Sequence, residues 1–131
     1  MDLKLEILRA ARSLAAHAAE RQGVIAENIA HADTPGYRAR DLASFSETYR
    51  SETMQPFAMK ATRTGHFQSE PTRHNAEIIQ TTAFGAESPN GNTVSLEDQM
   101  MRSGEVRHSH ELAMSVYRKS LDIMRTSIGS R

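Results

Sequence analysis

Proline is confined to the middle of this chain. All four prolines lie between Asp33 and Asn92, so the two ends are free to form long helices. The same central stretch holds four of the seven glycines, among many Thr and Ser residues. The sequence therefore reads as 1–32 and 93–131 forming one helical core, separated by an irregular segment over 33–92. The expected class is mainly α: two long terminal helices packed as an antiparallel, coiled-coil-like hairpin, with at most short β-strands in the middle.

The spacing of apolar residues supports helices at both ends. Leu8, Ala11, Ala15, Ala18, Gln22, Ile25 and Ile29 follow a three-four spacing, which gathers them into one seam. Ile7 and Leu14 widen it. The abundance of Ala would let a partner backbone approach closely, and the helix should stop near His31, because Pro35 pushes Thr34 out of helical geometry. In the last helix Met114, Tyr117, Leu121, Met124 and Ile128 repeat the spacing, flanked by Ala113, Val116 and Ile123. Ser95-Leu96-Glu97-Asp98 resembles a capping box, and Gly129 is placed to end the helix. From Leu96 to Ile128 the helix would run roughly 50 Å. Val106, His108 and His110 make the stretch after Gly104 look less regular.

The middle is weakly patterned. Phe57, Met59 and Ala61 alternate with polar residues as a short strand would, and Ile78-Ile79 could begin another. Ser88-Pro89-Asn90-Gly91-Asn92 is a strong turn signal. Pro35 and Gly36 fit the central positions of a type II turn, with Tyr37 as an amphipathic anchor beyond it.

Composition bears on function. Sixteen cationic and sixteen anionic side chains balance, so no broad field steers the chain onto nucleic acid or an anionic membrane. With no cysteine there is no disulfide, thiol catalysis or thiolate metal site. No segment has the roughly 20 apolar residues of a membrane span, so direct membrane insertion is not expected. Asp2, Lys4, Glu6 and Arg9 interrupt the region where a secretory signal would be apolar. Only 38% of residues are hydrophobic and 5% aromatic, a thin supply for a self-sufficient core, so part of the apolar surface is expected to be buried against partners. His108 could share a metal ion with Glu105 and Glu111, which lie three positions away on either side, but such groups are more often solvated charge pairs. No nucleophile elbow or phosphate-binding glycine loop is present. No catalytic, cofactor or metal residues are assigned, and no enzyme activity is expected.

The most specific run spans Asn28-Ile29-Ala30-His31-Ala32-Asp33-Thr34-Pro35-Gly36-Tyr37-Arg38-Ala39-Arg40-Asp41. It resembles the helix-exit motif of the flagellar rod and hook family, Asn-[Ile/Leu]-Ala-Asn-x-x-Thr-x-Gly-Tyr, with His31 in place of the second Asn. The motif positions are Asn28, Ala30, Asp33, Thr34, Pro35, Gly36, Tyr37, Arg40 and Asp41. The Ala-Arg-Asp continuation, followed by Phe45, is most similar to proximal rod subunits. Gly91-Asn92-Thr93-Val94-Ser95-Leu96-Glu97-Asp98-Gln99-Met100 resembles the same family's approach to its last helix, and Tyr117 matches an expected downstream Tyr.

The resemblance implies a structural subunit of the proximal rod that polymerises through its terminal helices. It would be exported by the flagellar type III apparatus without a cleaved signal, and reach the basal body in the periplasmic space. The implied partners are further copies of the chain, the rod proteins FlgC and FlgF, the FliE adaptor at the rod base, and the export machinery. The family's export signal contains a Phe followed four residues later by an apolar residue. No Phe precedes Phe45 here, so that element is absent or is replaced, with Leu3 and Ile7 as candidates for the role. Two other readings fit the helices: another axial subunit such as FlgC, or a cytoplasmic helical adaptor or chaperone that holds a partner helix in a groove.

Overall fold

A computed structural model describes residues 2–54, 76–81 and 87–129. The element order is α1 (Asp2–Ala30), β1 (Arg40–Leu42), α2 (Phe45–Met54), β2 (Ile78–Gln80) and α3 (Leu96–Ile128). The fold is mainly helical, with the two terminal helices packed against each other and two short strands between them.

Gln22 meets Ser103 and Asn28 meets Gln99, so α1 and α3 run antiparallel. One end of the pair, where α1 ends and α3 begins, is closed by the connecting segment. The other end, formed by the start of α1 and the end of α3, is open. The seam alternates small and larger side chains. Ala11, Ala18 and Ile25 of α1, seven apart, are buried, as are Gln99, Val106 and Ala113 of α3, also seven apart. Ala18, Ile25 and Val106 form one core cluster. Val106 therefore lies in the seam and not in an irregular stretch, and Ala113 is a central position where the larger residues around it are not. Ala11, Ala18 and Ala113 on this row allow close helix approach, and Val116 and Ile123 lie at its edges.

The caps follow local chemistry. Ser95 caps α3, its Oγ accepting from Asp98 N at 3.4 Å. At the other end Gly129 N donates to Arg125 O at 2.9 Å. Gly36 has φ +72° and Tyr37 N donates to Thr34 O at 3.3 Å, as the expected Pro-Gly turn requires. Gly91 N likewise closes a turn onto Ser88 O at 2.8 Å.

β1 and β2 form an antiparallel ribbon that sets Asp41 opposite Ile79. Ala39 O accepts from Thr81 N and Ala43 N donates to Glu77 O, extending the ribbon at both ends. Leu42 turns inward onto Val24 and Ala76 as a second core cluster. The central segment also holds a helix, α2, that hydrophobic periodicity does not reveal. Ser44 starts it: Glu47 N approaches Ser44 Oγ at 3.4 Å while Ser44 Oγ donates to Glu47 Oε2 at 2.8 Å. The strand expected around Phe57, Met59 and Ala61 lies outside the described residues.

Candidate functional site

The helix-exit run and the run before α3 fold into one polar junction at the closed end. Asn28 is its centre, with a side chain fully buried between the two helices and β1. Its Nδ2 donates to Arg40 O at 2.6 Å and to Gln99 Oε1 at 3.0 Å. Its Oδ1 accepts from Tyr37 Oη at 3.2 Å and from Arg40 N at 3.1 Å. Two donors and two acceptor lone pairs are the whole capacity of an Asn amide, and all are used. Neither Asp nor Leu could replace it without leaving buried groups unpaired.

Asn92 does the matching work from the other side. Its Nδ2 lies 2.8–2.9 Å from the carbonyl oxygens of His31, Ala32 and Thr34, in the turns that follow α1. Its Oδ1 accepts from Val94 N at 2.8 Å. Gly36 N donates to Asn90 O at 2.9 Å, Thr93 N to Tyr37 O at 3.1 Å, and Ala39 N to Thr93 Oγ1 at 2.9 Å. The two turns touch through their glycines: a Cβ on Gly91, whose φ is +82°, would stand 3.5 Å from Gly36 Cα.

Asp41 extends the junction along the helices. Arg21 Nε and Nη2 reach its two carboxylate oxygens at 2.8 Å each. Arg102 Nη1 adds a contact at 2.5 Å, and Arg102 Nε holds Asp98 at 2.8 Å. The ladder Arg21–Asp41–Arg102–Asp98 ties α1, β1 and α3 together with no net charge. Burial by itself would raise the Asp41 pKa. Bonds from Arg21 and Leu42 N, together with Arg102, outweigh it and hold the carboxyl below its usual value. On the surface of the junction the His31 ring stacks on Tyr37, centroids 4.7 Å apart, and Arg40 pairs with Glu27.

Of the motif residues, the structure thus brings together Asn28, Tyr37, Arg40 and Asp41. Thr34 and Gly36 join through their backbones, whereas Ala30, Asp33 and Pro35 lie exposed on the turn. Of the helix-packing positions, Ala11, Ala18 and Ile25 are buried, and Leu8, Ala15, Met114, Leu121 and Met124 are half-buried. Ile29, Tyr117 and Ile128 remain exposed in the single chain. Arg21 and Arg102 were not singled out from the sequence, and Asn92, Asp98 and Gln99 entered only as part of the run before α3. Arg21 lies seven residues before Asn28, so it shares that face of α1, a signal that was available.

The closed end holds the buried, paired polar network, with Ile29, Leu96, Met100 and Met101 exposed beside it. The open end exposes Leu3, Leu5, Ile7, Leu112, Val116 and Ile123. Among the described residues no group of three or more His, Asp or Glu side chains could hold a metal ion, and no helix is long and apolar enough to cross a membrane. The arrangement is suited to holding two helices in register and presenting apolar surface beyond them.

No protein-family profile matches the chain. Individual relatives do. It is 30% identical over 99 residues to the flagellar basal body rod protein FlgB of Agrobacterium fabrum, covering 73% of this chain and 72% of that one. To the protein of the same name from Escherichia coli it is 29% identical, with 74% of each chain covered. To that of Aeromonas hydrophila it is also 29% identical, over 83% of this chain and 76% of the relative. A relative 30% identical over nearly three quarters of both chains shows the family: this chain belongs to the FlgB family of flagellar basal body rod proteins.

Proposed function

We propose that the chain is a structural subunit of the proximal rod, which polymerises through its terminal helices after export by the flagellar type III apparatus. Its neighbours in the rod would be further copies of itself and FlgC and FlgF, with the FliE adaptor at the base. Membership of the family supports a rod component. The observation that carries the assembly mode is the apolar surface that the hairpin leaves uncovered at both ends. At the closed end, Ile29, Leu96 and Met100 are exposed beside the buried polar junction. At the open end, apolar side chains stay in water: Leu3 is 70% exposed, Ile7 40% and Ile123 48%. A helical pair that ends in unburied apolar residues gains most by packing against another chain.

Deleting the gene in its host tests this reading. The deletion strain should not swim and should yield basal bodies without a complete rod, and the intact gene should restore both. In cells with an inactivated export apparatus, the chain should stay in the cytoplasm. Normal swimming without the chain would overturn the proposal.

A further inference from the structure

Rows of residues seven apart keep to one side of each helix, so what covers a row can be followed along the hairpin. On α1 one row is Asn28, Arg21, Leu14 and Ile7, and on α3 the facing row is Arg102, Ser109, Val116 and Ile123. At the closed end these rows are polar and covered by β1: Asn28 binds Arg40, and Arg21 and Arg102 both bind Asp41. The cover ends at a cleft of about 420 Å³, which Leu14 and Ser109 line together with Leu42 and Phe45. Beyond it the rows turn apolar and open: Ile7 is 40% exposed, Val116 37% and Ile123 48%. The chemistry of the rows thus changes where their intramolecular cover stops.

The chain carries a second apolar patch on the other side of the hairpin and at its other end. Gln22 and Ser103 hydrogen-bond at 3.4 Å across that opposite edge. One heptad further toward the closed end, the same rows reach Ile29 and Leu96, 42% and 52% exposed. Met100, 72% exposed, follows one turn after Leu96. Two patches on opposite faces and at opposite ends cannot meet within one hairpin, but two copies displaced along the helix axis bring them together.

We propose that the open-end face of one copy, built on Ile7, Leu14, Val116 and Ile123, receives the Ile29, Leu96 and Met100 patch of a second copy. The inference rests on the reading of the chain as a polymerising rod subunit, and names the two surfaces that reading leaves unspecified. The contact is heterologous: each copy gives one surface and receives on the other. Such contacts propagate instead of closing on a two-fold axis. The apolar side chains of the two surfaces cover each other, while Lys119 beside Val116 and Ile123, and Lys4 beside Ile7, have stems long enough to keep their charges in water at the rim.

The absence of cysteine gives a clean test. Val116→Cys and Met100→Cys are made on separate gene copies and expressed together in the host. Basal bodies are then isolated, oxidised and probed for disulfide-linked dimers. Within one copy the two positions stand about 24 Å apart along α3, too far for an internal bridge. A dimer that forms when both variants are present, and with neither alone, is the expected result. A dimer from either variant alone would show a two-fold contact and overturn the proposal. Basal bodies that contain both variants yet give no mixed dimer would overturn it too, leaving the rod-subunit reading intact. Absence of even the unsubstituted chain from basal bodies would overturn that reading, and this contact with it. Ile29→Cys with Ile123→Cys repeats the test at the same contact if the first pair fails to assemble.

Discussion

Removing the Asn28 amide puts the junction to a quantitative test. Asn28→Ala strands the buried Gln99 Oε1 and the Arg40 carbonyl and amide, each of which Asn28 now holds at 2.6–3.1 Å. The Tyr37 hydroxyl also loses its 3.2 Å partner, but it is only half-buried and can turn to water. An unsatisfied buried group costs about 1–3 kcal/mol, so Asn28→Ala should destabilise the chain by about 3–5 kcal/mol. Gln99→Ala alone strands one Asn28 donor and should cost about 1–3 kcal/mol. The two changes share a hydrogen bond. The double variant should therefore lose about 1–2 kcal/mol less than the sum of the singles. Urea unfolding of the purified chain, followed by helical circular dichroism, gives all four free energies. Additive losses, or a loss below about 1 kcal/mol for Asn28→Ala, would refute the claim that this amide joins the two helices.

Three further perturbations follow from the same geometry. Asp41→Asn leaves Arg21 and Arg102 without their shared carboxylate and should cost about 3 kcal/mol at neutral pH, the lower end for a broken buried pair because both arginines keep some water. The native Asp41 pKa is depressed, so the stability from this carboxylate is fully present above the unfolded pKa of about 4 and is lost as pH falls through the native value. The acid limb of a stability profile should therefore be shallower in Asp41→Asn, and an unchanged limb would contradict the ladder. Gly91→Ala must hold φ near +82° with its Cβ against Gly36, and should cost about 1–2 kcal/mol; Gly36→Ala, in open space, should cost less when urea midpoints are compared. Ile25→Asp places a charge at a position only 1% exposed, at a cost of several kcal/mol, and should abolish swimming in soft agar, as should Leu121→Asp in the half-buried seam. Swimming cells with either change would count against the packing.

The long elements were legible because their signals are local. Proline placement marked the ends as helical, Thr34-Pro35 stopped α1 and Ser95 started α3. The junction was legible only as a motif. Nothing local says that the Asn28 amide reaches Gln99, because the partners are 71 residues apart in sequence. The same holds for Asp41 and Arg102, 61 residues apart. The helix α2 was missed although Ser44-Phe45-Ser46-Glu47 is a capping-box pattern, because it is short and more polar than the terminal helices. On α3 the eye follows the largest apolar residues, whereas close packing selected Gln99, Val106 and Ala113 for the centre. The bulky residues so displaced are the ones left at the surface of the open end.

Those exposed residues are the core of the account, and amide hydrogen exchange measured on the free chain and on the chain in isolated basal bodies tests it most directly. The account predicts that the free chain protects the closed end, around Asn28 and Gln99, while amides over 3–14 and 112–128 exchange quickly. Those amides should become protected in the rod. A free chain protected to the same degree along both helices, or an open end that gains no protection on assembly, would contradict it.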